Sequence, residues 1–179
     1  MEEPTDRADF EFARTTHDHF FEPAQRFIEA FDRWIEPFSS KVRADHIGYK
    51  CVDSEEFARL RSLLERESVF VYQSIISQRR IAVIKLLRPL QTVCGDIAFL
   101  ELSDQKPDGS QVSGFDHLEV YPHEGTVEEL LAEFQNAGVT FEKVTRPHHV
   151  TYDRSLMEGF KVRLEAESLI EKIKATEMV

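Results

Sequence analysis

The same local pattern occurs twice in this chain and limits what it can fold into. A strand-like run opens on Asp-His, at Asp45-His46 in ADHIGYKC and again at Asp116-His117 in FDHLEVYP. Each run is followed by a capped amphipathic helix, then by three further strand-like runs. The last run of each unit carries a Glu: Glu101 in FLEL and Glu165 in VRLE. Each strand, helix, strand, strand, strand unit is too small to bury its own apolar face. The two are expected to form one structure, as a tandem duplication does. A His near the start and a Glu near the end of each unit give His, Glu, His, Glu in chain order, a donor set that suits one divalent metal.

The predicted elements follow from periodicity and punctuation. From His19 to Phe38, apolar residues recur at helical spacing (Phe20, Ala24, Phe27, Ile28, Phe31, Ile35, Phe38), so an aromatic-striped helix packs there. Residues 1–18 read as a frayed polar lead. In the first unit, Asp53 with Glu56 starts a helix carrying Phe57, Leu60, Leu63 and Leu64. VFVYQSII and RIAVIKLL then read as a hairpin, with Pro89 stopping its second strand. DIAFLEL is the fourth strand. Ser103–Gly114 reads as the linker between units. In the second unit, Thr126 with Glu129 forms a capping box, and Leu130, Leu131 and Phe134 line a helix that stops at Gly138. VTFEKVT, HHVTYDR and GFKVRLEA are its strands, and Ser168–Thr176 is a closing helix. The expected fold is therefore α+β. Two tandem βαβββ modules (44–103 and 114–179) form a curled mixed sheet around a cleft, behind a helical N-terminal extension over residues 1–43.

Alternation of side chains along a strand sorts the candidates by face. His46, Gly48 and Lys50 share one face of their strand, and His117 shares a face with Glu119. Arg163 shares one with Glu165. Their apolar neighbours turn toward the helices. Ile97, Phe99 and Glu101 also alternate in phase, so Glu101 is expected among apolar neighbours, where a carboxylate needs a cation or a metal. Glu119 is a candidate of the cleft that reads as an acid/base group, a support for the ligands or an edge residue, with support or edge preferred. Lys50, Lys85, Arg88, Gln91 and Arg163 are candidates to line the cleft and hold an anionic group. His148-His149 reads as exposed loop, and His17-Asp18-His19, with no strand-helix unit after it, as solvated.

Composition narrows the function classes. A net charge of −11 over 179 residues disfavours nucleic acid and anionic membrane surfaces as partners. No apolar run reaches the ~20 residues of a spanning helix. Two cysteines do not make a disulfide scaffold. The polar, acidic N-terminus is unlike a secretory signal, so a cytoplasmic setting is expected. Phosphate-loop, dinucleotide, zincin, CxxC and serine-hydrolase motifs are absent from the sequence.

ADHIGYKC, RRIAVIKLLRPLQT, FLEL, FDHLEV and FKVRLEAESLIEKI, which together cover most of residues 44–173, resemble the vicinal oxygen chelate superfamily. Within it they resemble most closely the YecM-type branch. The resemblance implies two βαβββ modules around a shared cleft with a metal at its floor, held by His46, Glu101, His117 and Glu165. The branch pattern has His where this chain has Glu165. The metal is Zn, Ni, Fe(II), Mn or Co, which such ligands do not distinguish. With both Glu residues coordinating, the chemistry expected is isomerase or lyase action on a small oxygenated substrate, with Glu101 or Glu165 also serving as base. With only one, a two-His-one-carboxylate set remains, as in Fe(II) oxygen chemistry. A binding module that uses the same cleft without catalysis is the alternative class, and a monomer or homodimer is expected.

Overall fold

The structure is a computed structural model that describes residues 6–66, 68, 71–147 and 149–177, with side chains from residue 17 to residue 176. Its first helix, α1, spans Asp6–Ile35, and a single 3₁₀ turn, Glu36–Phe38, follows it. Residues 6–18, expected as a frayed lead, are thus helical; residues 1–5 lie outside the description. The stripe starts one turn before Phe20. His17 is buried, with its ring 5.1 Å from that of Phe21, so it belongs to the packed face and is not solvated. Phe27 stacks on Phe160 at 4.3 Å, and Phe31 and Ile35 are fully enclosed. Burying such side chains stabilises by roughly 1.5–3 kcal/mol each, which makes α1 part of the main core.

The two modules follow in the expected order. The first comprises β1 (Val42–Lys50), α2 (Ser54–Glu65), β2 (Val71–Ile76), β3 (Arg79–Thr92) and β4 (Gly95–Ser103). The second comprises β5 (Gly114–Pro122), α3 (Val127–Asn136), β6 (Glu142–Thr145), β7 (Val150–Met157) and β8 (Phe160–Leu164), and α4 (Leu169–Glu177) closes the chain. One eight-stranded sheet runs β2-β3-β4-β1-β5-β8-β7-β6. β1 is parallel to β4, β5 is parallel to β8, and the modules join where β1 runs antiparallel to β5. The second module therefore repeats the first about an approximate two-fold axis through the β1–β5 ladder.

The expected caps are present. Asp53 accepts from the Glu56 amide at 2.7 Å, and the reciprocal Thr126–Glu129 box is complete. The β2–β3 turn is the residue pair Ser77 and Gln78, both at positive φ, which suits a two-residue hairpin. Val69 and Phe70, expected in β2, lie outside the described residues. Pro89 does not end β3. It sits where pairing with β4 lapses between Lys85 and Leu90, an irregularity that tolerates a residue without an amide proton. The expected linker is a pinned loop: the buried Gln111 amide donates to the carbonyls of Cys51, Ser103 and Asp104.

The sheet has two differently covered faces. α1, α2 and α3 pack on one, over Ile47, Leu100, Leu118, Val120 and Val162. The other carries the polar candidates together with a small cluster in which Ile170 and Ile173 of α4 meet Val83, Tyr72 and Phe99. Ile97 departs from the alternation reading: it belongs to the large core, while Phe99 packs in the small one. Glu101 is thus bordered by this small cluster beneath α4. None of the described helices is long and apolar enough to cross a membrane.

Candidate metal centre

Three central strands meet at the site. Gly48 on β1 stands opposite Glu101 of β4 on one side and His117 of β5 on the other, and His46 stands opposite Glu119. The β1–β5 ladder is interrupted twice, and each interruption leaves one residue without a partner: Asp45 between the Ala44–Val120 and His46–Glu119 pairs, and Asp116 between the Gly48–His117 and Tyr49–Phe115 pairs. Each extra residue is the Asp of an Asp-His pair. A bulge re-aims the side chain it inserts. Here it lets each Asp reach the His that follows it, which strict alternation would turn to the other face.

The consequence is the same at both positions. Asp45 Oδ1 lies 2.8 Å from His46 Nδ1, and Asp116 Oδ1 lies 2.8 Å from His117 Nδ1. Both Nε2 atoms are buried and hydrogen-bond to nothing among the described residues. Asp45 is held in turn by Ser168 Oγ, and Asp116 by Lys50 Nζ at 2.7 Å. A carboxylate behind the imidazole fixes the tautomer that leaves Nε2 free to donate its lone pair to a metal. His46, Glu101 and His117 each present one ligand atom, and these atoms lie within 4.8 Å of one another. Two buried ring nitrogens and a carboxylate at that separation fit a divalent transition metal.

Charge at the site is tightly coupled. Burial alone would lower the His46 pKa, but the carboxylates of Glu119, Asp45 and Glu101 raise it well above its usual value. Glu119 is the converse. Burial would raise its pKa, but His46, His117 and the Tyr121 hydroxyl hold it well below the carboxylate range. Glu119 Oε2 lies 3.5 Å from His46 Nε2, and Oε1 accepts from Tyr121 Oη at 2.6 Å. Glu119 is therefore a buried member of the site and not an edge residue.

The remaining candidates are dispersed. Glu165 lies just past β8 with its carboxylate 3.0 Å from Lys172 Nζ and 3.3 Å from His149 Nε2, outside the three-residue group. The register explains why. Gly48 pairs with Glu101 as Glu119 pairs with Arg163, so the two-fold counterpart of Glu101 is Arg163. Arg163 is bound to Asp153 at 3.1 Å, an ion pair that Lys161 and Arg146 also join. Lys50 supports Asp116. Lys85, Arg88 and Gln91 are exposed, with Arg88 paired to Asp18, and Gln91 faces Asp96 near the distal end of β3. Of the His148-His149 pair, His148 lies outside the described residues, and His149 is exposed beside Glu165. The residues that sequence reasoning missed are Asp45 and Asp116 in their orienting role, together with Tyr121. The signal for the aspartates is the Asp-His dipeptide itself. Its meaning depends on the bulges.

Asp116→Asn tests that orienting role. The amide cannot hold His117 Nδ1–H as a carboxylate does, and losing such a partner typically costs about 10–100-fold in metal affinity. Zinc titration of the variant is expected to show that loss with an unchanged far-UV spectrum.

The sequence profile of the YecM protein family matches residues 16–173. Among solved structures, the structural-genomics protein EC4020 is 22% identical with a TM-score of 0.66, over 89% of this chain and 92% of that one. A hypothetical protein from Bacillus halodurans is 14% identical with a TM-score of 0.42, over 71% of this chain and 96% of that one. No curated protein matches the sequence. The first structural likeness shows a shared fold. With a profile match that covers most of the chain, the chain belongs to the YecM protein family.

Proposed function

We propose that this chain is a metal-dependent protein of the vicinal oxygen chelate type, with His46, Glu101 and His117 as ligands to one divalent ion. The observation that carries the reading is the pair of Asp-backed, buried histidines that converge with Glu101 within 4.8 Å. Such an ion supplies Lewis acidity toward an oxygenated small molecule at the positions the protein leaves open. The two aspartates orient the imidazoles. Tyr121 and His46 hold Glu119 ionised beside the ligands, where its charge supports His46. Glu165, engaged by Lys172 and His149, serves in this reading to anchor α4 and neither ligates nor acts as base. The three-residue set is also the two-His-one-carboxylate pattern of Fe(II) oxygen chemistry, and the Glu165 pairing favours that set over a four-ligand one. Cytoplasmic residence and a small-molecule partner complete the proposal.

Elemental analysis of untagged protein, before and after incubation with Zn, Ni, Mn, Co and anaerobic Fe(II), tests it. One ion per chain is expected, and no metal above background with any of the five would refute it. The raised His46 pKa adds a signed pH dependence. Without metal, His46 keeps its proton to higher pH than an ordinary imidazole, and the metal must displace it. Below that pKa, apparent affinity is expected to fall about tenfold per pH unit, with proton uptake by buffer seen calorimetrically. Glu119 adds no slope across neutral pH, because its folded pKa is depressed. A flat affinity profile between pH 5 and 8 would contradict this assignment.

A further inference from the structure

The two arms of the polar sheet face are furnished differently. His46 pairs with Phe99 as His117 pairs with Lys161, and Glu101 pairs with Val83 as Arg163 pairs with Asp153. Phe99 and Val83 are therefore the two-fold counterparts of Lys161 and Asp153. In the first arm they pack with Ile170 and Ile173 of α4, which forms a roof over them. The second arm carries charge instead, around a cavity of about 580 Å³. Its lining holds Lys50, Arg146 and Lys161 as cations, and Asp116, Glu142 and Asp153 as carboxylates.

These groups do not cancel one for one. Asp116 is satisfied by Lys50 Nζ at 2.7 Å and by His117 Nδ1 at 2.8 Å. Glu142 is exposed on the edge strand β6, where water weakens the reach of its charge. Asp153 is buried, and Arg163, which stands behind the lining, by itself serves both its oxygens, with Nε 3.1 Å from Oδ1 and Nη2 3.4 Å from Oδ2. Lys161, at 2.9 Å, and Arg146, at 3.7 Å, are cations beyond what Asp153 needs. Three cations around one carboxylate leave two positive charges in surplus. Arg146 Nε donates to Thr151 Oγ1 at 3.2 Å, while its Nη2 lies too far from Asp153 for a hydrogen bond. Burial and the Arg163 guanidinium lower the Arg146 pKa, as befits a cation short of counter-charge. Both side chains keep about a third of their surface exposed (32% for Arg146 and 33% for Lys161), so their donors are within reach of a ligand.

We infer that this cavity binds the phosphate group of a small phosphorylated compound, its oxygens taken by the Nη groups of Arg146 and the ammonium of Lys161. A phosphate dianion matches the two surplus charges, and a monocarboxylate matches only one. The guanidinium presents a fork of donors that suits phosphate oxygens, and the ammonium adds a point charge. The volume is that of a small-molecule site and is far more than a free phosphate fills, so an organic body fits over Val144 and Phe160. Lys161 stands beside His117 in the β5–β8 ladder, so the cavity borders the candidate metal centre. Its charge balance owes nothing to a metal, and the inference stands apart from the metal reading.

Glycerol 3-phosphate and inorganic phosphate are the probes, with acetate as the monoanion control. Each is titrated calorimetrically at constant ionic strength into the protein as purified and after metal removal by a chelator. One site per chain is expected in both preparations, tighter for glycerol 3-phosphate than for inorganic phosphate, and tighter than for acetate by about tenfold or more. Lys161→Met and Arg146→Met are each expected to weaken glycerol 3-phosphate by about tenfold or more, and Lys161→Arg to restore it. Arg88→Met, which removes an exposed cation of the other arm, is expected to change nothing. Both of the first two variants leave Arg163 on Asp153, so wild-type thermal midpoints are expected. Absence of saturable phosphate binding in the chelated protein, equal affinity for acetate, or binding indifferent to both Lys161→Met and Arg146→Met overturns the inference. Inorganic phosphate binding more tightly than glycerol 3-phosphate overturns the organic body and leaves the free ion as the ligand.

Discussion

His117→Ala is expected to reduce zinc affinity by on the order of 10²–10⁴-fold, taking one of three ligands' share of the roughly 10–16 kcal/mol typical of a structural zinc site. The fold should persist, because the imidazole leaves behind an Asp116 still paired to Lys50 at 2.7 Å. His46→Ala should lose metal to the same degree and also destabilise the apo protein. Removing His46 deprives the buried Glu119 of the cation 3.5 Å away, and an uncompensated buried charge typically costs about 3–5 kcal/mol. Zinc calorimetry and urea unfolding of the two variants separate the effects. Full zinc stoichiometry at wild-type affinity in His117→Ala would place the metal elsewhere.

Gly48→Ala should be nearly as damaging to metal binding although glycine ligates nothing. A Cβ at residue 48 would stand 2.2 Å from His117 Cε1 and 2.4 Å from Nδ1. The ring cannot give way cheaply, since it is buried and its Nδ1 is fixed by Asp116. It must rotate, which breaks the Asp116 contact and turns Nε2 from Glu101. A loss of zinc affinity comparable to that of His117→Ala is expected, with a stability loss of about 1–3 kcal/mol from overpacking. The double variant Gly48→Ala, His117→Ala should show no further loss of zinc, because both changes act through one ring. Wild-type affinity in Gly48→Ala would mean that the His117 ring is not needed where it stands.

Gly48 also shows how the duplication was put to unequal use. Its two-fold counterpart is Glu119, and the counterpart of Glu101 is Arg163. The two histidines and their aspartates stay symmetric, while the residues between them do not. One half supplies space and a carboxylate ligand candidate. The other supplies a buried carboxylate and an arginine tied to Asp153.

Much of this architecture was legible in residue order. The capping pairs Asp53–Glu56 and Thr126–Glu129, the β2–β3 hairpin and the alternation of Ile47 against His46 are local properties, fixed by backbone hydrogen-bonding and side-chain period. The repeated Asp-His strand announced two related modules and placed His46, Glu101 and His117 on one face. What local pattern does not carry is register and insertion. Reading Glu165 as the partner of Glu101 counts along the chain. The sheet pairs Arg163 there, because β8 aligns with β5 by tertiary hydrogen bonds. Strict alternation would turn Asp45 and Asp116 from the histidines, and only bulges in the β1–β5 ladder bring them round. Glu119 looked like an edge residue because its surroundings depend on β1, which arrives from distant sequence to set His46 against it. The sequence by itself determined the repeated units, their faces and the types of donor available. Tertiary structure alone decided which donors converge, because convergence depends on strand register, two bulges and a roof helix that join residues more than a hundred positions apart, as Ser168 does with Asp45.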